Sequence, residues 1–586
     1  MQAQTFALGE WNLTDALPSM EGPGLAKVLA AIETDVKRFE SLRGSLSKAT
    51  PAAVGDALRL YEGILDNVQR VTETGYMAYS VATADGTKKA FLDMAEETRA
   101  GVENRTLYFR LWWIGLDDES VRRLTPANLD HRHVLQTWRK LRPHTLGEEA
   151  EKVVNLKNTT GFLGWAHHYD KIASDFTYTL SVGGKPVKGR GGKAQKLVAE
   201  QVTRLFASPN PKMREAAYTA LLGKYRENGQ VLGEVYRTIV RDWRNENVKL
   251  RNYASPISTR NLENDVSDGA VETLLSSCRK NATVFHDFFR LKAKMLGSKG
   301  MARYHIYAPL ISKDRRVSYP EAVRTVLDSF SAFDRRMGKL AQNTFEMKHV
   351  DSIPRKGKNG GAYCMSITPS VVPYLFLNFA GMSRDVYTIA HESGHAVHSQ
   401  LSSSHSIMTF QPPLVLAETA SVFGEMILFD KFMREEKDDE VKKAVIMEKV
   451  SSMYATIGRQ ANFVIFEKGA HDAVADGATV DDLTGRYLAG LREHFGSAVK
   501  VPDEFGWEWT YIHHIYHTPF YCYAYAFGNL LSLSLYETYR REWEKFVPKY
   551  VRMLSHGGSM SPGKVLAEVG VYLESARFWQ SGFDVI

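Results

Sequence analysis

The segment DVYTIAHESGHAVHSQ, residues 385–400, constrains the fold of this chain more than any other stretch. It holds His391 and His395 four residues apart, and on a helix that spacing places both imidazoles on one face, within reach of one metal ion. Glu392 follows the first histidine directly, so its carboxylate can reach a water molecule beside the metal without binding the metal itself. The segment is therefore predicted to form a metal-binding helix.

The residues around this motif favour a helix that is buried on one side. Ser383 is a candidate N-cap, and Asp385 adds an acid to the first turn. With 18 histidines in 586 residues, two histidines and a glutamate at this spacing occur by chance in roughly 3 of 100 chains, so the motif needs further support. The apolar residues at helical spacing are Val386, Ile389, Val397 and Leu401.

Length and composition narrow the class of protein. A chain of 586 residues exceeds the size at which single hydrophobic cores stop growing, so two or more subdomains are expected. The net charge of +7 is small for this length, and basic residues are interspersed with acids, which argues against a nucleic-acid partner. No apolar run reaches the roughly 18 residues of a membrane span, so no membrane partner is expected.

Cysteine usage and the N-terminal stretch both indicate the cytoplasm. The stretch MQAQTFALGEWNLTDALPSM carries acids and lacks the basic and apolar regions of a secretory signal. Cys278, Cys364 and Cys522 are widely spaced, which argues against a disulfide framework and fits a reducing compartment. We therefore expect a cytoplasmic protein.

Apolar residues follow a helical period over most of the chain. Residues 176–187 alternate instead and break at two glycines, which predicts a hairpin, and residues 303–310 and 373–380 predict extended segments. The basic, glycine-rich stretch 188–193 predicts a mobile loop. Helical patterns occupy roughly 24–48, 51–83, 87–116, 127–143, 146–172, 194–252, 267–296, 319–346, 414–433, 437–477, 480–494, 521–542 and 543–556.

A glycine-rich stretch precedes the extended segment before the metal-site motif. Residues 356–366 contain Gly357, Gly360 and Gly361, and glycines beside a strand let another backbone approach closely. A strand edge next to a metal site could pair with an extended peptide by strand addition. A plain turn explains the same glycines, and spacing alone does not choose between the two interpretations.

Two acids follow on the next predicted helix. A hydrolytic zinc needs three protein ligands and one open position, and Glu418 is a candidate for the third ligand. Glu425 lies on the same face and could hydrogen-bond a ligating histidine, which would fix its tautomer. Acids on an otherwise apolar helix face are costly unless they are paired or bound to a metal.

Residues 507–528 concentrate aromatic and imidazole side chains. Peptide hydrolysis builds negative charge on the carbonyl oxygen, and neutral O–H or N–H donors aimed at that oxygen stabilise it. Packing of an aromatic helix is the alternative explanation. The candidate donors are His513, His514, His517, Tyr511, Tyr516, Tyr521, Tyr523 and Tyr525.

Six ordered motifs together resemble the oligoendopeptidase F family of thimet-oligopeptidase-like zinc metallopeptidases. The similarity extends over roughly residues 200 to 580. The motifs are GAYCMS, PYLFLNF, VYTIAHESGHAVHS, AETASVFGE, RQANFVIFEKGAH and HHIYHTPFYCYAYAFGNLL.

This resemblance implies a mainly α, zincin-type peptidase with a deep internal channel and a small β element beside the active-site helix. It implies an N-terminal helical lobe, residues 1–193, ending in the hairpin and glycine-rich loop, and a catalytic domain, residues 194–586. The expected partners are oligopeptide substrates, and the expected cofactor is one Zn²⁺ per chain. The expected reaction is endopeptidase cleavage by water activated at the zinc.

Residue roles carried over from the family are expectations as well. His391, His395 and Glu418 are the expected zinc ligands, and Glu392 is the expected general base. The expected transition-state donors are His514, Tyr521 and Tyr525, although His513 or His517 could take the place of His514. The expected substrate contacts are Gly360, Gly361, Ala362, Tyr363, His513, His517 and Tyr523.

Two other functions remain open at this point. A metal-dependent carboxypeptidase would need a cationic group for the terminal carboxylate, and no arginine in the motifs obviously supplies one. A peptide-binding protein with a non-catalytic metal is the other, and the intact Glu392 with an open ligand position speaks against it. The sequence makes no prediction of oligomeric state, cleavage preference or physiological substrate.

Overall fold

The computed structural model describes residues 6–188, 194–310 and 316–586. The chain forms two compact units, each assembled from separate stretches of sequence. The first draws on Met1–Arg142, Asp314–Glu435 and Leu535–Tyr572, and the second on Pro143–Lys313, Glu436–Ser534 and Leu573–Ile586. The domain boundary predicted at residue 193 concerns a different division and stays a prediction.

Helices dominate both units, so the prediction of a mainly α protein is confirmed. The first unit contains α-helices Gly22–Ser41, Pro51–Ser80, Gly86–Gly115, Asp118–Leu124, Leu129–Lys140, Tyr319–Phe333, Arg335–Glu346, Ser383–Leu401, Leu414–Glu435, Val547–Ser555 and Pro562–Ala567. The second contains Glu148–Asn158, Phe162–Ser174, Ala199–Arg204, Pro211–Glu227, Gly229–Trp243, Ser258–Glu263, Asp268–Lys280, Ala282–Met295, Asp439–Met453, Arg459–Ala475, Val480–Phe495, His513–His517 and Ala576–Val585. Tyr523–Glu542 extends from the second unit into the first.

Short 3-10 and π segments extend or join these helices. The 3-10 segments are Leu42–Lys48, Arg142–His144, Leu205–Ala207, Arg303–His305, Asp503–Tyr511 and Trp543–Lys545. Two π-helical turns, Arg244–Leu250 and Tyr454–Gly458, continue the α-helices before them. None of the helices in the described ranges is both long enough and apolar enough to cross a membrane.

The strands are two or three residues long. Tyr374–Phe376 is the central strand of a three-stranded sheet, between Val350–Asp351 and Tyr363–Met365. The predicted hairpin is present, because Ser181–Val182 pairs with Lys185–Pro186 around Gly183 and Gly184, which both have positive φ. The loop predicted at 188–193 lies outside the described residues except for Lys188. The other strands are Tyr178–Thr179, Lys196–Leu197, Met301–Ala302 and Val499–Lys500.

The prediction of an extended segment at 303–310 is wrong, because the short strand in this region ends before residue 303. A strand occupies only Met301–Ala302, and Arg303–His305 forms a 3-10 turn. Arg303 is almost fully buried and pairs with Glu508, whose other carboxylate oxygen accepts a hydrogen bond from Tyr487. A buried charge is tolerated only when it is paired, so this contact distant in sequence overrides the local alternation.

The helix that carries the HExxH motif, Ser383–Leu401, is hereafter the metal-site helix. The prediction that Ser383 is its N-cap is wrong, because Ser383 is the first helical residue. Asp385 caps the N-terminus instead. Its Oδ2 accepts hydrogen bonds from the backbone N–H groups of Ala380 at 2.8 Å and Met382 at 2.9 Å. A carboxylate here satisfies free donors at the helix start and interacts favourably with the helix dipole.

Two glycines let the metal-site helix approach the helix Leu414–Glu435, hereafter the Glu418 helix. A Cβ atom on Gly394 would lie 2.4 Å from the carbonyl oxygen of Ala420. A Cβ atom on Gly424 would lie 3.1 Å from the carbonyl oxygen of Ala390. The backbones of the two helices are therefore in direct contact, and this contact sets the distance between side chains that face each other across the crossing.

Candidate metal centre and active site

The structure brings His391, His395 and Glu418 together at the crossing of the two helices. Glu418 Oε2 lies 3.3 Å from Nε2 of His391 and 3.7 Å from Nε2 of His395. One ligand atom from each of the three residues lies within 4.8 Å of the others. Two imidazole nitrogens and one carboxylate oxygen form a donor set used by hydrolytic zinc sites, so the residues present fit this metal.

Hydrogen bonds orient two members of this group. Glu425 lies about two turns after Glu418 on the same helix. Its Oε1 is 2.7 Å from Nδ1 of His391, so Nε2 of that histidine is directed at Glu418. The hydroxyl of Ser421 donates to Glu418 Oε2 at 2.7 Å. The predicted role of Glu425 therefore has the required geometry, whereas sequence reasoning missed Ser421, although its spacing of three residues from Glu418 was a local signal.

The electrostatics of the group favour a bound cation. Burial lowers the pKa of His391, but the hydrogen bond and charge of Glu425, with the charges of Glu392 and Glu418, outweigh burial and raise it to about 9. Burial, together with the charge of His391, lowers the pKa of His395 to about 4 although Glu418 opposes the shift. The negative field that retains a proton on His391 also attracts a metal ion to the same place.

Glu392 is buried beside the three residues rather than among them. Burial and the nearby charges of Glu418 and Glu425 raise the pKa of Glu392 to about 7, while His391 opposes that shift. The backbone N–H of Cys364, on the strand Tyr363–Met365, hydrogen-bonds to the carboxylate and also opposes it. The carboxylate is thus held between the metal-site helix and a strand edge.

A cleft of about 470 Å³ adjoins the group. Its walls include Ala362, Tyr363 and Cys364 together with the two histidines of the motif. Tyr363 is held by a 2.7 Å hydrogen bond between its hydroxyl and that of Ser80, and its ring stacks on Phe376. The strand Tyr363–Met365 bonds to Tyr374–Phe376 on one side only, and its other edge has no strand partner in the described part of the chain.

The predicted substrate loop reaches this cleft only in part. Gly360 and Gly361 are exposed, and Gly361 has a positive φ, which glycine adopts without strain. Asn378 holds this loop, because its side-chain amide donates to the carbonyls of Asn359 and Gly361 at 2.9 Å each. Ala362 and Tyr363 line the cleft, whereas the two glycines precede it.

In the second unit, His514, Tyr521 and Tyr525 form a half-buried cluster, hereafter the donor cluster. His514 Nε2 lies 3.3 Å from the hydroxyl oxygen of Tyr525, and the rings of Tyr521 and Tyr525 are 5.2 Å apart. Burial and the neighbouring charges of His513, Arg459 and His517 lower the pKa of His514, which favours the neutral imidazole. The approach of the donor cluster to the metal centre stays a prediction.

Three residues predicted as substrate contacts form hydrogen bonds with other partners. Tyr523 is fully buried, and its hydroxyl accepts a 2.7 Å hydrogen bond from the side-chain amide of Asn264. His513 and His517 contact Asp170 instead.

A strained turn precedes Tyr521, and sequence reasoning missed the residues that hold it. Phe520 has a φ of 61°, which is unfavourable for a bulky residue. Its backbone N–H donates to Glu467 Oε1 at 2.9 Å, and Arg260 Nε donates to the carbonyl of Pro519 at 3.2 Å. Glu467 belongs to the motif RQANFVIFEKGAH, so an acid within an apolar helical stretch was the available signal.

Glu467 is expected to make stability depend on pH. Burial raises its pKa to about 8, although the bond from Phe520 and the charge of Arg260 oppose the shift. Because the folded pKa lies above the unfolded value, the stabilising difference is present at low pH and is lost as the pH rises towards 8. Glu467→Gln keeps the acceptor oxygen and cannot ionise, so its melting temperature should exceed that of the parent at pH 8 and approach it at pH 5.

The control for this measurement is Glu493→Gln, a substitution of an exposed glutamate in the same unit. It should shift the melting temperature by a similar small amount at both pH values. A difference between the Glu467→Gln variant and the parent that does not change from pH 5 to pH 8 would contradict a buried, ionising carboxyl at this position.

The sequence matches two family models. The model of peptidase family M3 matches residues 204–585, and that of the oligopeptidase F N-terminal region matches residues 112–178. The plasmid oligoendopeptidase F of Lactococcus lactis subsp. cremoris is 28% identical over 405 residues, which cover 68% of this chain and 66% of that protein. An oligoendopeptidase F homologue of Borreliella burgdorferi is 25% identical over 582 residues, 96% of this chain and 94% of that protein.

Solved structures share the fold over nearly the whole chain. The structure of oligoendopeptidase F from Enterococcus faecium superposes with a TM-score of 0.71 at 19% identity and covers 96% of both chains. A protein from Chlamydophila abortus superposes with a TM-score of 0.84 at 21% identity and covers 98% of this chain and 96% of the other. Because the family model spans more than half of the sequence, the chain belongs to peptidase family M3.

Proposed function

We propose that this chain is a zinc-dependent endopeptidase that hydrolyses short oligopeptides. The observation that carries the proposal is the convergence of His391, His395 and Glu418 next to the buried carboxylate of Glu392. One zinc ion per chain, held by the first three residues, would polarise the scissile carbonyl as a Lewis acid and lower the pKa of the attacking water. The four residues thus suit hydrolysis better than metal storage.

Glu392 acts as the general base in this proposal. It accepts a proton from the attacking water at a carboxylate oxygen and passes it to the nitrogen of the leaving amine. The bond from the Cys364 N–H restrains the carboxylate between the strand and the metal-site helix. Its position directly after His391 keeps it near the reacting atoms without making it a ligand.

An extended peptide is the substrate shape that fits the first unit. The edge of the strand Tyr363–Met365 that lacks a strand partner among the described residues borders the cleft, and its backbone groups other than the Cys364 N–H can pair with an extended peptide, independent of side-chain identity. Such pairing suits oligopeptides of varied sequence. We further infer a cytoplasmic location, which the three free thiols support.

The donor cluster is proposed to stabilise the negative charge on the carbonyl oxygen. Neutral imidazole and phenol groups donate hydrogen bonds without repelling a peptide or binding it as an ion pair. The hydroxyl of Tyr525 and the Nε2 of His514 already contact each other, so both point into one space.

Turnover of a peptide blocked at both ends tests the proposed function. The metal-replete chain should cleave an internal bond of a quenched fluorescent peptide, lose activity with a chelator and regain it with Zn²⁺. Release of single C-terminal residues, from an unblocked peptide only, would support a carboxypeptidase instead. Metal binding without turnover of any peptide would support a peptide-binding protein.

Tyr525→Phe should lower kcat by about 10²–10³-fold, the usual effect of removing one donor to a developing oxyanion. KM should change much less, because the hydrogen bond strengthens in the transition state. Steady-state kinetics on the same peptide measure both constants. The matched control is Tyr523→Phe, whose hydroxyl bonds to Asn264 in the interior and whose kcat should stay near that of the parent. An unchanged kcat in Tyr525→Phe would assign that tyrosine to packing.

A further inference from the structure

Two histidines and an aspartate converge in the second unit, away from the residues used so far. His513 and His517 begin and end the short helix His513–His517, and Asp170 lies on the helix Phe162–Ser174. Asp170 Oδ1 is 3.1 Å from Nε2 of His513 and 2.9 Å from Nε2 of His517. One ligand atom from each residue lies within 4.8 Å of the other two.

We propose that Asp170, His513 and His517 form a second metal site for a divalent first-row transition ion such as Zn²⁺, Co²⁺ or Ni²⁺. With metal–ligand bonds of about 2.1 Å, neighbouring ligand atoms at a right angle are about 3 Å apart, the separation of the carboxylate oxygen from each imidazole nitrogen. Two imidazoles with one carboxylate select these ions over Mg²⁺ and Ca²⁺, which prefer oxygen ligands.

Packing within the protein fixes the positions of the proposed ligand atoms. The rings of His513 and His517 stack with centroids 4.0 Å apart and planes 11° apart, and both Nε2 atoms face Asp170 Oδ1. Buried Tyr169 packs edge-on against both rings, and its hydroxyl donates to the carbonyl of Thr510 at 3.1 Å. A fixed ring behind each imidazole reduces the ordering that binding would otherwise require.

The site is also open to solvent. The side chains of His513, His517 and Asp170 are 60%, 24% and 42% exposed. An ion can therefore enter directly from water, and the coordination positions that the protein leaves open remain available to water molecules. His514, a member of the donor cluster, lies between the two histidine ligands in sequence. An ion at this second site would hold the backbone of the donor cluster against the helix Phe162–Ser174.

Metal stoichiometry tests the proposal with the full-length chain. The protein is stripped with a chelator, and bound zinc is then measured by equilibrium dialysis against micromolar free Zn²⁺. We expect two ions per chain in the parent, one in His513→Ala/His517→Ala and one in His391→Ala/His395→Ala. Asp170→Asn, which preserves side-chain volume, should weaken the second binding event at least tenfold in a calorimetric titration with Ni²⁺.

The control is His167→Ala/His168→Ala, which removes two exposed imidazoles from the helix that carries Asp170. It should still bind two ions, and Ca²⁺ should bind to none of these variants at the same site. An ion count in His513→Ala/His517→Ala that equals the count in the parent, whether one or two, would overturn the second site. The ion count of His391→Ala/His395→Ala tests only the proposed function. The two proposals can therefore fail separately.

Discussion

Glu392→Gln is expected to lower kcat by on the order of 10²–10⁴-fold while the chain still binds zinc, because a positioned general base typically contributes that much. Glutamine keeps the size of the side chain and can accept the hydrogen bond from Cys364, but it cannot take a proton from water. The proposed ligands His391, His395 and Glu418 are unchanged in this variant. Steady-state kinetics on the blocked peptide, with zinc content from plasma emission, measure the two properties together.

Two further variants make that result specific. Glu346→Gln, the same change at an exposed glutamate in the first unit, should leave kcat unchanged. Glu392→Asp keeps the carboxylate but withdraws it by one methylene group, so its kcat should lie between the Gln variant and the parent. If Glu392→Gln hydrolysed the peptide at the rate of the parent, another group would have to be the base.

Gly394→Ala should both destabilise the fold and weaken zinc binding. The new Cβ would lie 2.4 Å from the carbonyl oxygen of Ala420 and 2.6 Å from the Cα of Ser421, and backbone atoms cannot swing aside as side chains do. Separation of the two helices moves Glu418 away from the histidines. We expect a loss of about 1–3 kcal/mol in stability and at least a tenfold lower zinc affinity, since ligand distances must hold within about 0.2 Å.

The matched control is Gly63→Ala, the same substitution within the helix Pro51–Ser80 of the first unit. A Cβ atom there would meet nothing within 4 Å. Alanine favours the helix, so the melting temperature should stay constant or rise slightly, in line with about 0.4–1 kcal/mol. Melting curves and zinc titrations of both variants decide the matter. A Gly394→Ala variant that matches the parent in both properties would show that the two helices can separate without cost.

Local sequence patterns were sufficient for the metal-site helix, the Glu418 helix and the hairpin. In each, the residues that decide the structure are close together in sequence: a four-residue histidine spacing, a helical run, or two glycines between alternating strands. The helical period also predicted the position of Glu425, because a residue seven positions after Glu418 lies on the same face of the helix. The wrong N-cap at Ser383 has a local cause too, since Asp385 supplies the acceptor from two residues further on.

Contacts distant in sequence account for most of what was missed. The segment after Ala302 turns because Arg303 pairs with Glu508, and no period in residues 303–310 reveals that partner. Glu467 supports Phe520 from 53 residues away, and Asp170 meets His517 from 347 residues away. The strands outside the hairpin and the predicted segment 373–380 are also only two or three residues long, too short for alternation to identify them.

The backbone contact between the metal-site helix and the Glu418 helix affects whether the protein stays folded when no metal is bound. Packing of the two helices through Gly394 and Gly424, rather than bonds to an ion, sets the distance between the three proposed ligand residues. Removal of the metal should therefore leave the helical circular dichroism almost unchanged, and zinc should restore activity without a refolding step. In a cell where free zinc is scarce, such a chain would remain folded without metal. The zinc supply, rather than the rate of protein synthesis, would then set the amount of active enzyme.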